Sequence, residues 1–389
     1  MRIAFFGLQS AFDYNDIGGS ESITRRLASQ LTQSCDVKEV DYVLFGAPRT
    51  EKKAVAPRVR ARYFETYAEA VHTLPTDYDH VVSLHLPVRE RVSYTAFRAR
   101  YRHRLTFHAF RTMYNPSATK RLLGSADLRM VPLNGALFVI SPRLYHVVRQ
   151  WVSRSFLMLP PVPDEWFLRA RDKANHTPVT VSFIGRIDSG KGATEATELF
   201  NRLKDDRRFV CRFFGYTFEA GRVGGTEAEI YRRLKALPVG TFVESSYTSY
   251  SPQVDRAVRD ALAETDILLL PYRNVSSTAD MPLVFMEGMA SLCTLILPGS
   301  AADLPQVYGP SQFYIRGTDW VDAMLEIVRT AEPGLATERQ RSEARNAQLN
   351  FGLAATALAF KQALLGREQP RGADWPENLL TFKGSHFAR

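Results

Sequence analysis

The sequence predicts an α/β protein built from two doubly wound units. Short, nearly continuous apolar runs of strand length alternate with amphipathic helical patterns along the chain, which is the signature of parallel sheets with helices on their faces. A length of 389 residues exceeds what one hydrophobic core usually serves, so two domains are expected. Apolar content of 45% and charged content of 23% are those of an ordinary globular protein, which excludes a disordered or fibrous chain. The sequence shows no internal repeat and no low-complexity tract.

In chain order, Arg2–Gly7 (RIAFFG) reads as a first strand and not as a signal peptide, lacking both h-region and cleavage pattern. Gly18-Gly19 follow, just before a helical pattern at Ile23, Leu27 and Leu31. Glycines there let backbone N–H groups approach a polar or anionic ligand, or simply make a tight loop. Val40–Gly46 and Tyr78–Leu86 are further strands, the latter reaching past His85. Arg89–Arg104 is dense in arginine, with Val92, Tyr94, Phe97 and Tyr101 interleaved. As a helix it would present a basic amphipathic surface to an anionic bilayer, a nucleic acid or an acidic acceptor, or else a solvated face without a ligand. Arg104–Phe110 is a strand with His108 at its carboxyl end. Ala136–Ile140 is a strand leading into a helix at Arg143–Val152, and Ser155–Phe167 gives a last strand and a proline-rich connection. The linker is placed at Leu159–Thr177.

The second half opens with a strand at Val179–Ile184, then Gly185-Arg186, with a helix beginning after Lys191-Gly192. Strands at Phe209–Phe214, Gly240–Glu244 and Asp266–Leu270 alternate with helices at Glu227–Ala236 and Gln253–Ala263. A helix over Val284–Leu292, with Pro282 in its first turn and Asp280 or Met281 as its cap, precedes a strand at Cys293–Leu297. Trp320–Arg329 and Phe351–Leu365 are helical. The domains are expected at 1–165 and 175–350, with 351–389 a crossover helix and tail.

Charge and cysteine usage narrow the function classes. The net charge of +9 lies wholly in the first half: residues 1–172 hold 25 Lys+Arg against 16 Asp+Glu, and residues 173–389 hold 25 against 25. It peaks over Arg89–Arg154, with 13 basic residues and two acidic ones, so that region is expected to meet an anionic partner. Cys35, Cys211 and Cys293 are far apart and form no zinc or redox spacing, which suggests a reduced, cytoplasmic protein. No apolar run approaches the roughly 18 residues of a spanning helix, so any membrane contact is expected from the surface, at the inner face.

Two stretches carry chemistry. Arg186 and Lys191 fall on the carboxyl side of a strand at a loop-to-helix junction, where two cations and helix N–H groups can hold a diphosphate. The loop is not a P-loop, since G-x4-G-K-[ST] is absent. In Asp266–Ala290 a strand, a loop and a helix start bring Glu287 near the crevice where open α/β sheets bind ligands. The plainer alternative makes Glu287 an exposed helix residue stabilised by the dipole.

The segment ADMPLVFMEGMA, Ala279 to Ala290, resembles the Glu-x7-Glu donor motif of the retaining glycosyltransferases of family 4. Gly185-Arg186 with Lys191-Gly192 resembles that family's diphosphate-binding pair. Glu287 matches the second Glu, whereas Ala279 stands where the first is expected, with Asp280 one position later. The resemblance implies a GT-B fold, in which two Rossmann-like domains face across a cleft and the C-terminal helix crosses back to the first. It implies transfer of a sugar, with retention, from a nucleoside diphosphate sugar to a saccharide or lipid-linked acceptor, with no metal and no cofactor besides that co-substrate. Arg186 and Lys191 would hold the diphosphate, and Glu287 the ribose hydroxyls. Asp280, or the backbone at Met281, Pro282, Leu283 and Val284, would hold the sugar. His108 would face the sugar, with His85 its competitor, and Gly18-Gly19, near Glu21, would line the cleft. A leaving phosphate oxygen would take the acceptor proton. Nucleic acid is not an expected partner. The competing readings are a phosphorylase or epimerase on the same fold, and a basic membrane- or nucleic-acid-binding protein on a decayed transferase fold. Ala279 favours decay; Arg186, Lys191 and Glu287 oppose it.

Overall fold

In a computed structural model, residues 1–8, 18–46, 52–84, 91–101, 105–109, 136–140, 154–168, 177–216, 225–245, 250–273, 282–299, 312–330 and 350–367 are described, with isolated positions between them. They divide into two units, one formed by Met1–Pro161 with the chain from Asn350, the other by Val162–Ser277 and Pro282–Leu349.

In the first unit the apolar run at the start forms β1 (Arg2–Leu8), followed by α1 (Gly19–Ser34) and β2 (Glu39–Phe45). A hairpin of β3 (Lys52–Ala56) and β4 (Val59–Phe64) comes next, then α2 (Tyr67–Thr73) and β5 (His80–Ser83). After these come α3 (Arg91–Tyr101), β6 (Leu105–Ala109), β7 (Ala136–Val139) and β8 (Ser155–Leu157). The strands lie in the order β3-β4-β2-β1-β5-β6-β7-β8, all parallel except β3. The hairpin is not anticipated by the sequence reading. Its strand β4 alternates buried Val59 and Ala61 with Arg60 and Arg62, and both arginines reach the fully buried Asp41 of β2, at 3.1 and 2.8 Å. Tyr78 also donates to Asp41; burial first, and then this bond, raise its phenol above the ordinary range. Part of the basic excess is therefore spent inside the unit.

In the second unit a 3-10 turn at Asp164–Trp166 precedes β9 (Val179–Arg186). A second 3-10 turn (Ser189–Lys191) leads into α4 (Ala193–Leu203), then β10 (Phe209–Tyr216), α5 (Gly225–Lys235), β11 (Phe242–Glu244) and α6 (Pro252–Ala263). The unit continues with β12 (Ile267–Leu269), α7 (Leu283–Ala290), β13 (Thr294–Pro298), β14 (Phe313–Ile315) and α8 (Trp320–Thr330). The sheet is parallel throughout, in the order β11-β10-β9-β12-β13-β14. β9 and β12 are therefore central neighbours whose carboxyl ends open on one edge, the ligand edge of a doubly wound sheet. Phe183 stacks on Phe213 at 4.5 Å between ring centroids within the core beneath α4, α5 and α8. α7 lies close on the sheet because its Gly288 has no side chain: a Cβ there would meet Leu268 and Leu295 at 2.6 and 2.8 Å.

The chain ends its described course in α9 (Leu353–Leu364), which packs on α1 in the first unit. Phe360 is fully buried there, its ring 4.4 Å from Phe138 and 6.1 Å from Phe5.

Two expectations are corrected. Pro282 is the N-cap of α7, with extended backbone (φ −61°, ψ 136°), and not a first-turn residue; the helix starts at Leu283. Phe97 and Tyr101 are core residues beside Phe6 and Tyr67, not part of an exposed amphipathic face. The expected helix at Arg143–Val152 and the tail beyond residue 367 lie largely or wholly outside the described residues. Because α9 completes the first core, Phe360→Ala is expected to cost about 3–5 kcal/mol. Urea unfolding followed by a probe in the first unit checks this, and an unchanged midpoint would contradict it.

Candidate functional site

The carboxyl end of β9 delivers Gly185 and Arg186, and the next residues fold into a turn fixed by Asp188. One Asp188 oxygen accepts the Gly190 N–H at 2.7 Å, and the other lies 3.5 Å from the Arg186 guanidinium. Asp188 thus caps the turn and holds Arg186 at its rim. Gly192 ends the turn and begins α4 with φ +77° and ψ 24°, a left-handed conformation that favours glycine. A Cβ at Gly192 would also overlap the carbonyl and ring of Pro271. The turn can only lie on the segment leaving β12 because this residue has no side chain.

That contact sets the position of Lys191. Its ammonium stands 5.4 Å from the centroid of the Tyr272 ring, over a face whose quadrupole attracts cations. Tyr272 is buried and meets Phe285 of α7 edge-on at 5.2 Å. One aromatic ring therefore links the turn after β9 to the start of α7. Burial, and next the charge of Arg186, push the Lys191 ammonium down to about 8, with Asp188 opposing. Arg273, the next residue, donates to Glu195 of α4 at 2.7 Å and lies 4.1 Å over the Trp320 ring. These side chains border an open pocket of about 450 Å³ between α4 and the start of α8.

Pro282 gives α7 no side-chain cap. Leu283 and Val284 form its first turn. Glu287 is buried, at 5% exposure, in a helix otherwise lined by Leu283, Phe285, Met286 and Met289, which rules out an exposed surface carboxylate. Asp280 and Met281 lie outside the described residues.

In the first unit Gly18 is the N-cap of α1 and Gly19 its first residue. A Cβ at Gly18 would collide with the Glu21 carboxylate, which folds back over the helix start as the acid of a capping box does. His108 is the penultimate residue of β6, paired with Phe138 of β7. Gly18 and His108 therefore stand at the same carboxyl edge of the first sheet. The side chain of His108, and His85, lie outside the described residues.

No protein-family model matches the chain, and no curated relative is found by sequence. Solved structures do match. Sucrose-phosphate synthase from Thermosynechococcus elongatus gives a TM-score of 0.65 at 15% identity, over 94% of this chain and 98% of that one. HepE of Anabaena, in complex with UDP-glucose, gives 0.64 at 12% identity, over 94% and 100%. The UDP-forming α,α-trehalose-phosphate synthase of Burkholderia vietnamiensis gives 0.58 at 12%, over 94% and 99%. The fold is GT-B. Arg186 ends β9 and Lys191 lies on the turn that follows it, at the carboxyl edge of the second sheet.

The second unit brings Arg186, Lys191 and the Leu283–Val284 turn into one neighbourhood through Tyr272. Sequence reasoning missed Pro271, Tyr272 and Asp188. The available signal was the Pro-Tyr-Arg that ends the apolar run of β12. The bilayer reading of Arg89–Arg154 loses two anchors, since Phe97 and Tyr101 are core. Arg100 is also engaged, donating to the carbonyls of His72 and Leu74 at 2.7 and 2.6 Å at the end of α2. The side chains of Val92 and Tyr94 lie outside the described residues. Among the described helices none is long and apolar enough to cross a membrane.

A diphosphate would bind the protonated form of Lys191, and is itself fully ionised above pH 7. Its affinity is expected to be level below the free-protein value of about 8. Above that it should fall about tenfold for each pH unit. Isothermal titration calorimetry across pH 7–10 checks this, and Lys191→Arg should abolish the fall. Gly192→Ala is expected to weaken the same binding by at least about tenfold, since the turn must leave Pro271; unchanged affinity would contradict the placement.

Proposed function

We propose that the protein is a metal-independent, retaining glycosyltransferase that moves a sugar from a nucleoside diphosphate sugar to a saccharide or lipid-linked acceptor. The observation that carries this is the pair Arg186 and Lys191, held on a turn locked against Pro271 and joined through Tyr272 to the first turn of α7. The pair would hold the diphosphate. As the sugar–oxygen bond breaks, negative charge grows on the leaving phosphate, and two fixed cations in a half-buried site offset it more strongly than water does. This is the work a divalent ion does in other transferases. A leaving phosphate oxygen would accept the acceptor proton on the same face, so no protein base is assigned. Glu287 would take the ribose hydroxyls, and the backbone of Leu283 and Val284, with Asp280 and Met281, those of the sugar. Ala279, in place of an acid, leaves the choice of sugar to these groups. UDP-glucose bound to the Anabaena protein of the same fold supports a uridine donor as the first to test.

The first unit, with its basic excess and with Gly18, Gly19 and His108 at one sheet edge, would receive the acceptor, an anionic saccharide free or lipid-linked. The protein would act in the cytoplasm, and at a membrane only where the acceptor is lipid-linked.

Screening UDP-, GDP- and ADP-sugars for hydrolysis and transfer tests the reading; a preferred donor is expected, and stabilisation by nucleic acid with indifference to all three diphosphates would overturn it. Arg186→Ala and Lys191→Ala are each expected to lower turnover by about 10²–10³-fold without unfolding the protein. Activity is expected to survive EDTA, and loss restored by Mg²⁺ or Mn²⁺ would place the enzyme in another transferase class.

A further inference from the structure

Tyr272 belongs to neither motif that the sequence marks, yet its ring meets both, Lys191 of one at 5.4 Å and Phe285 of the other at 5.2 Å. Its residue leaves β12 in a tight bend, with the Tyr272 N–H donating to the Leu270 carbonyl at 2.8 Å, and Leu270 itself tied to Ile296 of β13 at 2.9 Å. On one side Pro271 carries Gly192; on the other Arg273 is fastened to Glu195 and Trp320. Three consecutive residues thus anchor to three elements, and the middle one presents a buried aromatic face to the Lys191 ammonium. We propose that Tyr272 is a positioning residue that holds the Lys191 ammonium charged and aimed at the donor diphosphate, and couples it to α7 through Phe285. The inference rests on the diphosphate reading of Lys191.

Among the described residues the alternatives for what steadies this ammonium are few. The charged groups acting on it are Arg186, which repels it, and Asp188, which is already occupied with Gly190 and Arg186. From β12 comes Tyr272, and from α7, behind it, the apolar ring of Phe285. The electron-rich ring offers attraction without a formal charge, so it does not neutralise the cation when a diphosphate arrives. A carboxylate in the same place would favour the charged lysine too, but would repel the ligand.

The test measures binding of the preferred nucleoside diphosphate by calorimetry at pH 7–10 for wild type, Tyr272→Phe, Tyr272→Leu and Tyr272→Met, with thermal melting of each ligand-free protein as a control for folding. Tyr272→Phe keeps the ring and should match wild type in affinity and in the pH at which affinity begins to fall. The Leu and Met variants should bind about five- to twentyfold more weakly at pH 7.5, and their fall should begin about half to one pH unit lower. In turnover assays they should lose kcat more than they raise KM, because the charge on the leaving phosphate grows in the transition state. Folded Leu or Met variants that bind like wild type, or a Phe variant as weak as they are, would overturn the role of the ring. Wild type that binds none of UDP, GDP or ADP would instead remove the diphosphate reading beneath it.

Discussion

Backbone meets backbone where the turn after β9 crosses the end of β12, and the second unit depends on that contact. Gly192 lies against the carbonyl of Pro271 with no room for a Cβ, in a left-handed conformation that costs other residues about 1–2 kcal/mol. From there the geometry propagates in both directions. α4 starts at the next residue and points its N–H groups at the sheet edge, while Lys191, one residue earlier, is set over Tyr272. The glycine of α7 does the equivalent task on its own helix, letting it settle onto Leu268 and Leu295. Two close approaches, each made possible by a missing side chain, bring the cations and a helix start to one place.

Two cations flank one carboxylate whose oxygens serve the turn and the arginine. Holding Lys191 charged in the folded, ligand-free protein is unfavourable, because its value lies near 8 against 10.5 when unfolded. The sign follows: this cost is fully present below about pH 8 and is relieved as pH rises from there towards 10.5, where the unfolded chain binds the proton that the folded one has released. A diphosphate held there, as proposed, would remove the cost by pairing. Ligand binding and stability would therefore be linked at this residue, the stabilisation following the affinity and so declining as pH rises past about 8.

Much of this was legible in the sequence, for definite reasons. β1 and β12 are buried on both faces and so read as nearly continuous apolar runs, and Arg186, Lys191 and Gly192 sit at fixed offsets from the apolar residues of β9. The β3–β4 hairpin was not anticipated although β4 alternates buried Val59 and Ala61 with Arg60 and Arg62, and no local spacing records that these arginines pair with Asp41 of β2. Phe97 and Tyr101 were misassigned to the surface because a helix dense in arginine gives no sign of which face turns inward; the aromatic cluster with Phe6 and Tyr67 decides it. Tyr272 was invisible as a functional residue because its role comes from contacts with residues 81 positions before it and 13 after, which no local spacing records.

The central claim is that a nucleoside diphosphate binds the second unit between the turn after β9 and the start of α7. Hydrogen–deuterium exchange with and without saturating UDP, GDP or ADP tests it most directly, because it reports on backbone position by position without requiring turnover. The account predicts that one of the three slows exchange in peptides spanning Gly185–Thr197 and Leu283–Ala290, leaving α5 and α6 unchanged. Protection confined to the first unit, or no protection with any of the three, would contradict it.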